Sequence, residues 1–106
     1  MKVLSWNTRG LGSLRKHRLL KKKVTQEKPD IVFLQETKCS RQKLEELGKC
    51  LGRHMEHLAV EGIGTGGGLA IFWTPGTLHL LNAEATKSFM SLEMKVLGEK
   101  RHLSVH

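Results

Sequence analysis

Two short polar stretches of the chain combine residue types that can bind a metal ion or a phosphate group. One stretch, Ser5–Gly12, contains Asn7, and the other, Phe33–Lys38, contains Glu36. A glutamate carboxylate is a hard oxygen ligand of the kind that Mg²⁺ prefers, and Mg²⁺ typically takes only one or two protein carboxylates. The side-chain amide of Asn7 can donate to a phosphate oxygen or orient a neighbouring ligand. The simpler interpretations are a helix cap or a solvated charge for Glu36, and a turn residue for Asn7.

Both polar stretches follow a predicted strand. Lys2–Trp6 has the pattern of a short strand, and the continuous apolar run Ile31–Leu34 is typical of a strand covered on both faces. Between them, Ser13 can cap a helix that runs to about Glu27 and that Pro29 ends. In layered α/β folds, ligands gather at the carboxyl ends of strands. The two polar stretches are therefore expected to face one pocket.

The rest of the chain contains one further helix and several strands. Ser40 can cap a helix that runs to about Leu51, and Gly52 suits its carboxyl end. The Gly64–Gly68 cluster is predicted to allow close backbone packing or a turn, and Gly98–Lys100 is predicted to be a hairpin turn. The remaining predicted strands are Met55–Val60, Leu69–Trp73, Leu78–Leu81, Met90–Val96 and Arg101–His106. This order of elements predicts an α/β fold.

The composition is strongly basic. The 106 residues include 18 lysines and arginines against 10 aspartates and glutamates, which gives a formal net charge of +8. Such an excess favours an anionic partner, and nucleic acid is the commonest one. A run of charges is usually a solvated helix face, but on the first predicted helix it can also contact phosphates. These candidate contacts are Arg15, Lys16, Lys21, Lys22 and Lys23.

Several classes of protein and site are disfavoured. No apolar run approaches the roughly 18–20 residues that span a bilayer, and the first residues do not form a signal peptide. Cys39 and Cys50 make no disulfide framework, which favours reduced thiols and an intracellular location. His54 and His57 have the spacing of a metal-binding pair on a helix, but the local strand pattern places them on opposite faces.

Three segments taken together resemble the endonuclease/exonuclease/phosphatase superfamily: Trp6–Leu11, Pro29–Lys38 and Gly67–Trp73. The chain is most similar to the apurinic-type endonuclease domain at the start of plant non-LTR (LINE-type) retrotransposon polyproteins, and Leu34–Lys38 is the most specific element. The resemblance implies that residues 1–106 are the N-terminal half of a four-layered α/β sandwich, truncated, with two helices packed on one face of a mixed sheet. It also implies Mg²⁺-dependent cleavage of phosphodiester bonds in DNA, and a nuclear location.

The resemblance assigns roles by position. Glu36 matches the family's metal-binding glutamate, and Asn7 matches the asparagine that helps to arrange the catalytic site. Lys38 matches a basic residue beside the metal pocket, and Arg9 is grouped with it as a nucleic-acid contact.

The departures from the family pattern matter as much. The later family motifs supply a tyrosine, an Asp-x-Asn pair and an Asp-His pair, whereas this chain has no tyrosine and only one aspartate, Asp30. His106 has no aspartate near it in the sequence to orient its imidazole. Two hypotheses stay open: a nuclease-type half-domain that is inactive alone, and a non-catalytic fragment that acts as a basic nucleic-acid-binding module. A lipid or inositol-phosphate phosphatase is a further option within the superfamily.

Truncation predicts exposed apolar surface. With one sheet largely missing, an apolar sheet face and open strand edges are expected to favour self-association. The residues expected on strands that need covering layers are Val32, Leu34, Leu69, Ile71, Met90 and Leu92.

Overall fold

The computed structural model describes residues 2–51, 55–61, 67–85, 90–97 and 101–105. Seven strands and two helices follow one another along these residues, at the positions that the sequence predicts to within a few residues. In chain order they are β1 (Val3–Asn7), α1 (Leu14–Glu27), β2 (Ile31–Gln35), α2 (Arg41–Lys49), β3 (Glu56–Val60), β4 (Leu69–Trp73), β5 (Leu78–Ala85), β6 (Met90–Val96) and β7 (Arg101–Val105). His54, Gly52, His106 and the predicted turn at Gly98–Lys100 lie outside the described residues.

Both helices begin at the predicted caps. The Ser13 hydroxyl accepts from the Lys16 amide at 3.3 Å, and the Ser40 hydroxyl accepts from the Lys43 amide at 3.2 Å. These bonds satisfy first-turn amides that have no partner within the helix. Helix α2 ends at Lys49, earlier than the prediction of about Leu51.

The first sheet has the strand order β1-β2-β4-β3. Strand β1 pairs in parallel with β2, and α1 connects the two strands. The predicted order of strand, helix and strand is thus confirmed as a β-α-β unit whose two strands are neighbours in the sheet. Strand β4 runs antiparallel to both β2 and β3. The register sets Asn7 opposite Gln35, so that β1 and β2 end at the same edge of the sheet.

The four-stranded sheet is covered on both faces. Helices α1 and α2 pack on one face through Leu20, Val24, Leu44 and Leu47, against Val32, Leu34, Ala70 and Phe72 of the sheet. A second, antiparallel sheet of β5, β6 and β7 packs on the other face. There, Leu78, Leu92 and Met94 contact a layer formed by Ile31, Phe33, Ile71 and Trp73. The mixed sheet with two helices on one face is as predicted.

The predicted exposure of this sheet is wrong for the side chains that the structure describes. Val32, Leu34, Leu69, Ile71 and Leu92 are all buried. Val32 and Leu34 pack with the helices on one face, and Ile71 and Leu92 pack between the two sheets. The side chain of Met90 lies outside the described set. In the described part of the four-stranded sheet, the exposed large apolar side chain is Val3 of the edge strand β1, which is 44% exposed. Within the described ranges, no helix is long and apolar enough to cross a membrane.

Candidate functional site

The loops that follow β1 and β2 are joined by a short hydrogen-bond ladder. The amide of Thr8 donates to the Gln35 carbonyl at 2.9 Å, and the amide of Gly10 donates to the Glu36 carbonyl at 2.7 Å. The amide of Leu11 continues the ladder to the Thr37 carbonyl at 2.8 Å. The ladder holds the two polar stretches side by side at the carboxyl ends of two parallel strands.

The side chain of Thr8 adds further hydrogen bonds between the two loops. Its hydroxyl lies 3.1 Å from the Gln35 carbonyl and 3.0 Å from the Glu36 carbonyl, and the residue is only 2% exposed. A buried hydroxyl that donates across two loops limits how far they can separate. The sequence does not point to this residue, because a threonine after a strand carries no signal of what its hydroxyl will contact.

A third segment closes the other side of the Glu36 loop. The amide of Thr37 donates to the Gly68 carbonyl at 3.4 Å, and the amide of Lys38 donates to the Gly67 carbonyl at 3.1 Å. Gly67 and Gly68 have φ angles of 82° and 95°, a region that favours glycine. The predicted role of the glycine cluster in close backbone packing is thus confirmed for these two glycines, while residues 62–66 lie outside the described ranges.

The backbone at the site is strained. Arg9, Glu36 and Lys38 have φ angles of 51°, 50° and 51°. In the described part of the chain, the one other non-glycine residue with positive φ is Lys28, which ends α1. Left-handed non-glycine residues cost free energy and persist where the surrounding structure fixes them, often at functional sites.

The candidate metal ligands are the side-chain oxygen atoms of Asn7 and Glu36, and both side chains are exposed. Arg9 and Lys38, the cations of the same two loops, are also exposed. The Asn7 Oδ1 accepts from the Arg9 amide at 3.3 Å, which fixes the orientation of its side chain. Among the described residues, no group of three or more His, Cys, Asp or Glu side chains is placed to hold a metal ion. One carboxylate and one amide oxygen nevertheless fit Mg²⁺, which keeps several water ligands.

The single aspartate of the chain is remote from these residues. Asp30 directly precedes β2, whereas Glu36 directly follows it, so the two lie at opposite ends of the same strand. The Asp30 carboxylate accepts from the Lys2 amide at 2.8 Å. It therefore stabilises the start of the sheet and is not part of the site.

The predicted phosphate contacts occupy different places. At about 100° per residue along a helix, Arg15, Arg18 and Lys22 form one exposed ridge opposite the buried Leu20 and Val24. We call these three residues the α1 ridge, and Arg18 is a member that the candidate contacts from the sequence did not include. Within the described residues, none of the three forms a salt bridge.

The other α1 lysines point elsewhere. Lys21 and Lys23 lie on opposite flanks of the ridge, and Lys23 lines an apolar cavity of about 230 Å³ beside β1. We call this the β1 cavity; its other lining residues are Leu4, Ser5, Trp6, Leu19 and Leu20. The Lys16 ammonium lies 2.6 Å from the Thr8 carbonyl and 2.8 Å from the Gly10 carbonyl. Lys16 is thus engaged by the loop that carries Asn7.

Of the two histidines that have the spacing of a metal-binding pair, only His57 lies within the described residues. His57 lies on β3, where its Nε2 is 3.8 Å from a carboxylate oxygen of Glu45. Its ring centroid is 5.9 Å from that of Phe72. These contacts tie β3 to its surroundings, and His57 takes no part in the site at the ends of β1 and β2.

Comparison with solved structures relates the whole arrangement to known folds. The human nocturnin catalytic domain with bound sulfate is 16% identical, with a TM-score of 0.66. Zebrafish (D. rerio) TDP2 complexed with a single-strand DNA product is 23% identical, with a TM-score of 0.66, and an AP endonuclease from Archaeoglobus fulgidus is 20% identical, with a TM-score of 0.62. At these identities the similarity shows a shared fold.

The matches are unequal in length. The alignments with nocturnin and TDP2 each cover 98% of this chain, but they cover only 48% of the nocturnin chain and 44% of the TDP2 chain. The alignment with the AP endonuclease covers 92% of this chain and 38% of the endonuclease chain. The chain thus spans less than half of each of these proteins.

No curated protein sequence matches this chain. The sequence does match the Endonuclease/Exonuclease/phosphatase family over residues 4–85, a segment that includes all but the first residue of β1, the whole of β2 and both loops of the site. Since that match covers well over half of the chain, the protein belongs to the endonuclease/exonuclease/phosphatase family.

Proposed function

We propose that the chain supplies the metal-binding half of a Mg²⁺-dependent phosphodiesterase that cleaves DNA, of the type found in plant non-LTR retrotransposons. The observation that carries the proposal is the ladder between the two loops, which fixes Asn7 and Glu36 at one edge of the sheet. Family membership supports phosphodiester chemistry. The TDP2 neighbour with its DNA product supports a nucleic-acid substrate, and the Leu34–Lys38 motif supports the retrotransposon type.

The residues divide the work between metal and phosphate. The Glu36 carboxylate and the Asn7 amide oxygen would hold Mg²⁺, which when bound supplies positive charge to neutralise the phosphate. Lys38 and Arg9 are exposed cations on the same two loops, so they attract the phosphodiester backbone towards the site. The ladder and the Thr8 hydroxyl hold both loops in their strained conformation, so these groups are in place before substrate arrives.

We propose further that this chain does not hydrolyse DNA alone. Hydrolysis also requires a positioned water and a group that accepts its proton. The only aspartate, Asp30, lies at the far end of β2, and the described residues contain no aspartate–histidine pair. Losing one member of a catalytic unit can cost nearly as much activity as losing all of them.

Metal binding is tested by titrating Mg²⁺ into the ¹⁵N-labelled chain and following NMR signals. We expect shifts at Asn7, including its side-chain amide, and at Glu36. Glu36→Gln removes the only anionic ligand and is expected to weaken binding more than about tenfold, since even supporting residues contribute that much. Glu46→Gln, an exposed glutamate of α2, is the matched control and should leave the affinity unchanged. Shifts that avoid both loops would contradict the metal assignment.

Activity is tested on supercoiled and abasic DNA with Mg²⁺. We expect no more nicking by the wild-type chain than by Glu36→Ala. Reproducible nicking that Glu36→Ala abolishes would overturn the proposed inactivity and would leave the metal assignment intact.

The alternative function, a basic nucleic-acid-binding module without catalysis, is favoured by the α1 ridge. Changing Arg15, Arg18 and Lys22 to glutamine should reduce the slope of log K against log salt by roughly 2 to 3, because each phosphate contact contributes about 0.9. Changing Arg41, Lys43 and Lys49 on α2 removes the same charge and should change the slope much less. Equal effects of the two triple variants would remove the ridge from the DNA footprint. The Lys21, Lys22 and Lys23 triple shares only Lys22 with the ridge and should have an intermediate effect.

A further inference from the structure

Lys16 lies where a cation is electrostatically disfavoured. It belongs to the first turn of α1, which contains no acidic residue, and the amino-terminal end of a helix carries partial positive charge. The side chain is nevertheless half-buried, and its ammonium points back to the loop before the helix. Such a position requires compensation by electronegative groups.

The compensation comes from two carbonyls that flank one strained residue. The Lys16 ammonium donates to the Thr8 carbonyl at 2.6 Å and to the Gly10 carbonyl at 2.8 Å. Arg9, with φ of 51°, lies between these two. Hydrogen bonds from a charged donor are stronger than neutral ones, so the ammonium fixes the Thr8–Arg9 and Gly10–Leu11 peptide groups, which lie before and after the segment of Arg9 and Gly10.

The same loop is held at a second point by the next residue. The His17 Nε2 lies 2.6 Å from the Leu11 carbonyl. A carbonyl only accepts, so this nitrogen carries the proton. Meanwhile the Gly10 amide donates to the Glu36 carbonyl at 2.7 Å. Gly10 therefore links Lys16 on one side to the backbone of Glu36 on the other.

We propose that Lys16 is a positioning residue, whose ammonium clamps the Asn7–Leu11 loop and so sets Asn7 and Arg9 relative to Glu36. In this assignment Lys16 contributes to the site through the loop and does not contact DNA. The part that concerns metal binding rests on the proposed function, whereas the clamp itself does not.

The clamp is tested first on the wild-type chain by NMR of the lysine side-chain ammonium groups. We expect the Lys16 ammonium protons to exchange with water more slowly than those of Lys21, which is exposed on the same helix. A Lys16 ammonium that exchanges as fast as that of Lys21 would overturn the proposal. This measurement needs no variant and no metal.

A second test uses Lys16→Met, with Lys21→Met as control and Lys16→Arg as the rescue. In Lys16→Met the amides of Gly10 and Leu11 should exchange with solvent at least about tenfold faster, as expected for lost charged hydrogen bonds. The amide of Ile71 in β4 should not change, and Lys16→Arg should restore protection because a guanidinium can donate to both carbonyls. Unchanged exchange at Gly10 and Leu11 would overturn the clamp.

A third readout separates positioning from general stability. The Mg²⁺-induced shift of the Asn7 side-chain amide should shrink in Lys16→Met and return in Lys16→Arg, while Lys21→Met matches the wild type. If the wild type itself gives no shift with Mg²⁺, the proposed metal function fails, and the two exchange experiments still decide the clamp. A full wild-type shift in a folded Lys16→Met would contradict the positioning role.

Discussion

At the scale of single residues, the site is defined by backbone conformations that its own side chains disfavour. A left-handed conformation costs a non-glycine residue roughly 1–2 kcal/mol, because its Cβ approaches the following carbonyl oxygen. Arg9, Glu36 and Lys38 all adopt it. The ladder between the loops and the Thr8 hydroxyl supply the hydrogen bonds that hold them there. The side chains at these positions are thus retained against a local preference for glycine.

The left-handed conformation of Arg9 makes stability sensitive to the residue at this position. Arg9→Gly and Arg9→Ala remove the same charge, but only glycine relieves the left-handed strain. Glycine also gains entropy in the unfolded chain, which offsets part of the benefit. We expect Arg9→Gly to be more stable than Arg9→Ala by up to about 1 kcal/mol in urea unfolding. An alanine variant of equal or higher stability would show that the loop relaxes and stores no strain.

The sequence allowed part of the site to be predicted at this scale. The placement of Asn7 and Glu36 at one end of the sheet follows from the sequence, because both residues lie where a strand-like run meets a loop and strand ends are set locally. The positive φ angles, the Thr8 hydroxyl and the Lys16 ammonium depend on contacts between segments that are up to 28 residues apart. No local pattern encodes such contacts, and from the sequence alone Lys16 is one of the cations available to DNA.

At the scale of elements, helix α2 packs unusually close to β4. A Cβ added to Gly48 would lie 2.7 Å from a ring carbon of Phe72, a residue with no exposed surface. The glycine therefore allows the helix to approach the sheet. Its helical position would otherwise favour alanine by about 1 kcal/mol.

Gly48→Ala is accordingly expected to destabilise the protein. Overpacking a closed core typically costs about 1–3 kcal/mol, which exceeds the gain in helix propensity because the Phe72 ring has no open space to enter. Gly12→Ala is the matched control, since an added Cβ there meets nothing within 4 Å. We expect a lower urea midpoint for Gly48→Ala and a change of less than about 0.5 kcal/mol for Gly12→Ala. A Gly48→Ala variant as stable as the wild type would mean that α2 shifts freely on the sheet.

The elements themselves were largely predictable, whereas their arrangement was only partly so. Ser13 and Ser40 act through bonds within one helical turn, so both helix starts follow from the sequence. The insertion of β4 between β2 and β3 depends on strand pairing between distant segments. The sequence also does not show that a three-stranded sheet covers the second face, because the alternation in β6 does not indicate which surface this strand will cover.

At the scale of the whole molecule, burial is uneven across the first sheet. Strand β4 is buried along its whole length, while β1 alternates between exposed and half-buried residues. The unpaired edge of β1 lies next to the β1 cavity, whose wall includes Leu19, 50% exposed. An open strand edge beside apolar surface favours association. The surface expected to mediate self-association is therefore this edge, and no longer a whole face of the sheet.

Sedimentation velocity at rising protein concentration tests this association. Its dependence on salt concentration is opposite to that expected for DNA binding. The net charge of +8 repels a second copy, and salt screens that repulsion, so we expect association at β1 to strengthen as salt rises. Leu19→Gln should weaken it, whereas Leu81→Gln, at a similarly exposed site on β5 (48%), should not. A monomer under all conditions, or equal effects of the two variants, would exclude the β1 edge. DNA binding at the α1 ridge weakens with salt, so one salt series distinguishes the two surfaces.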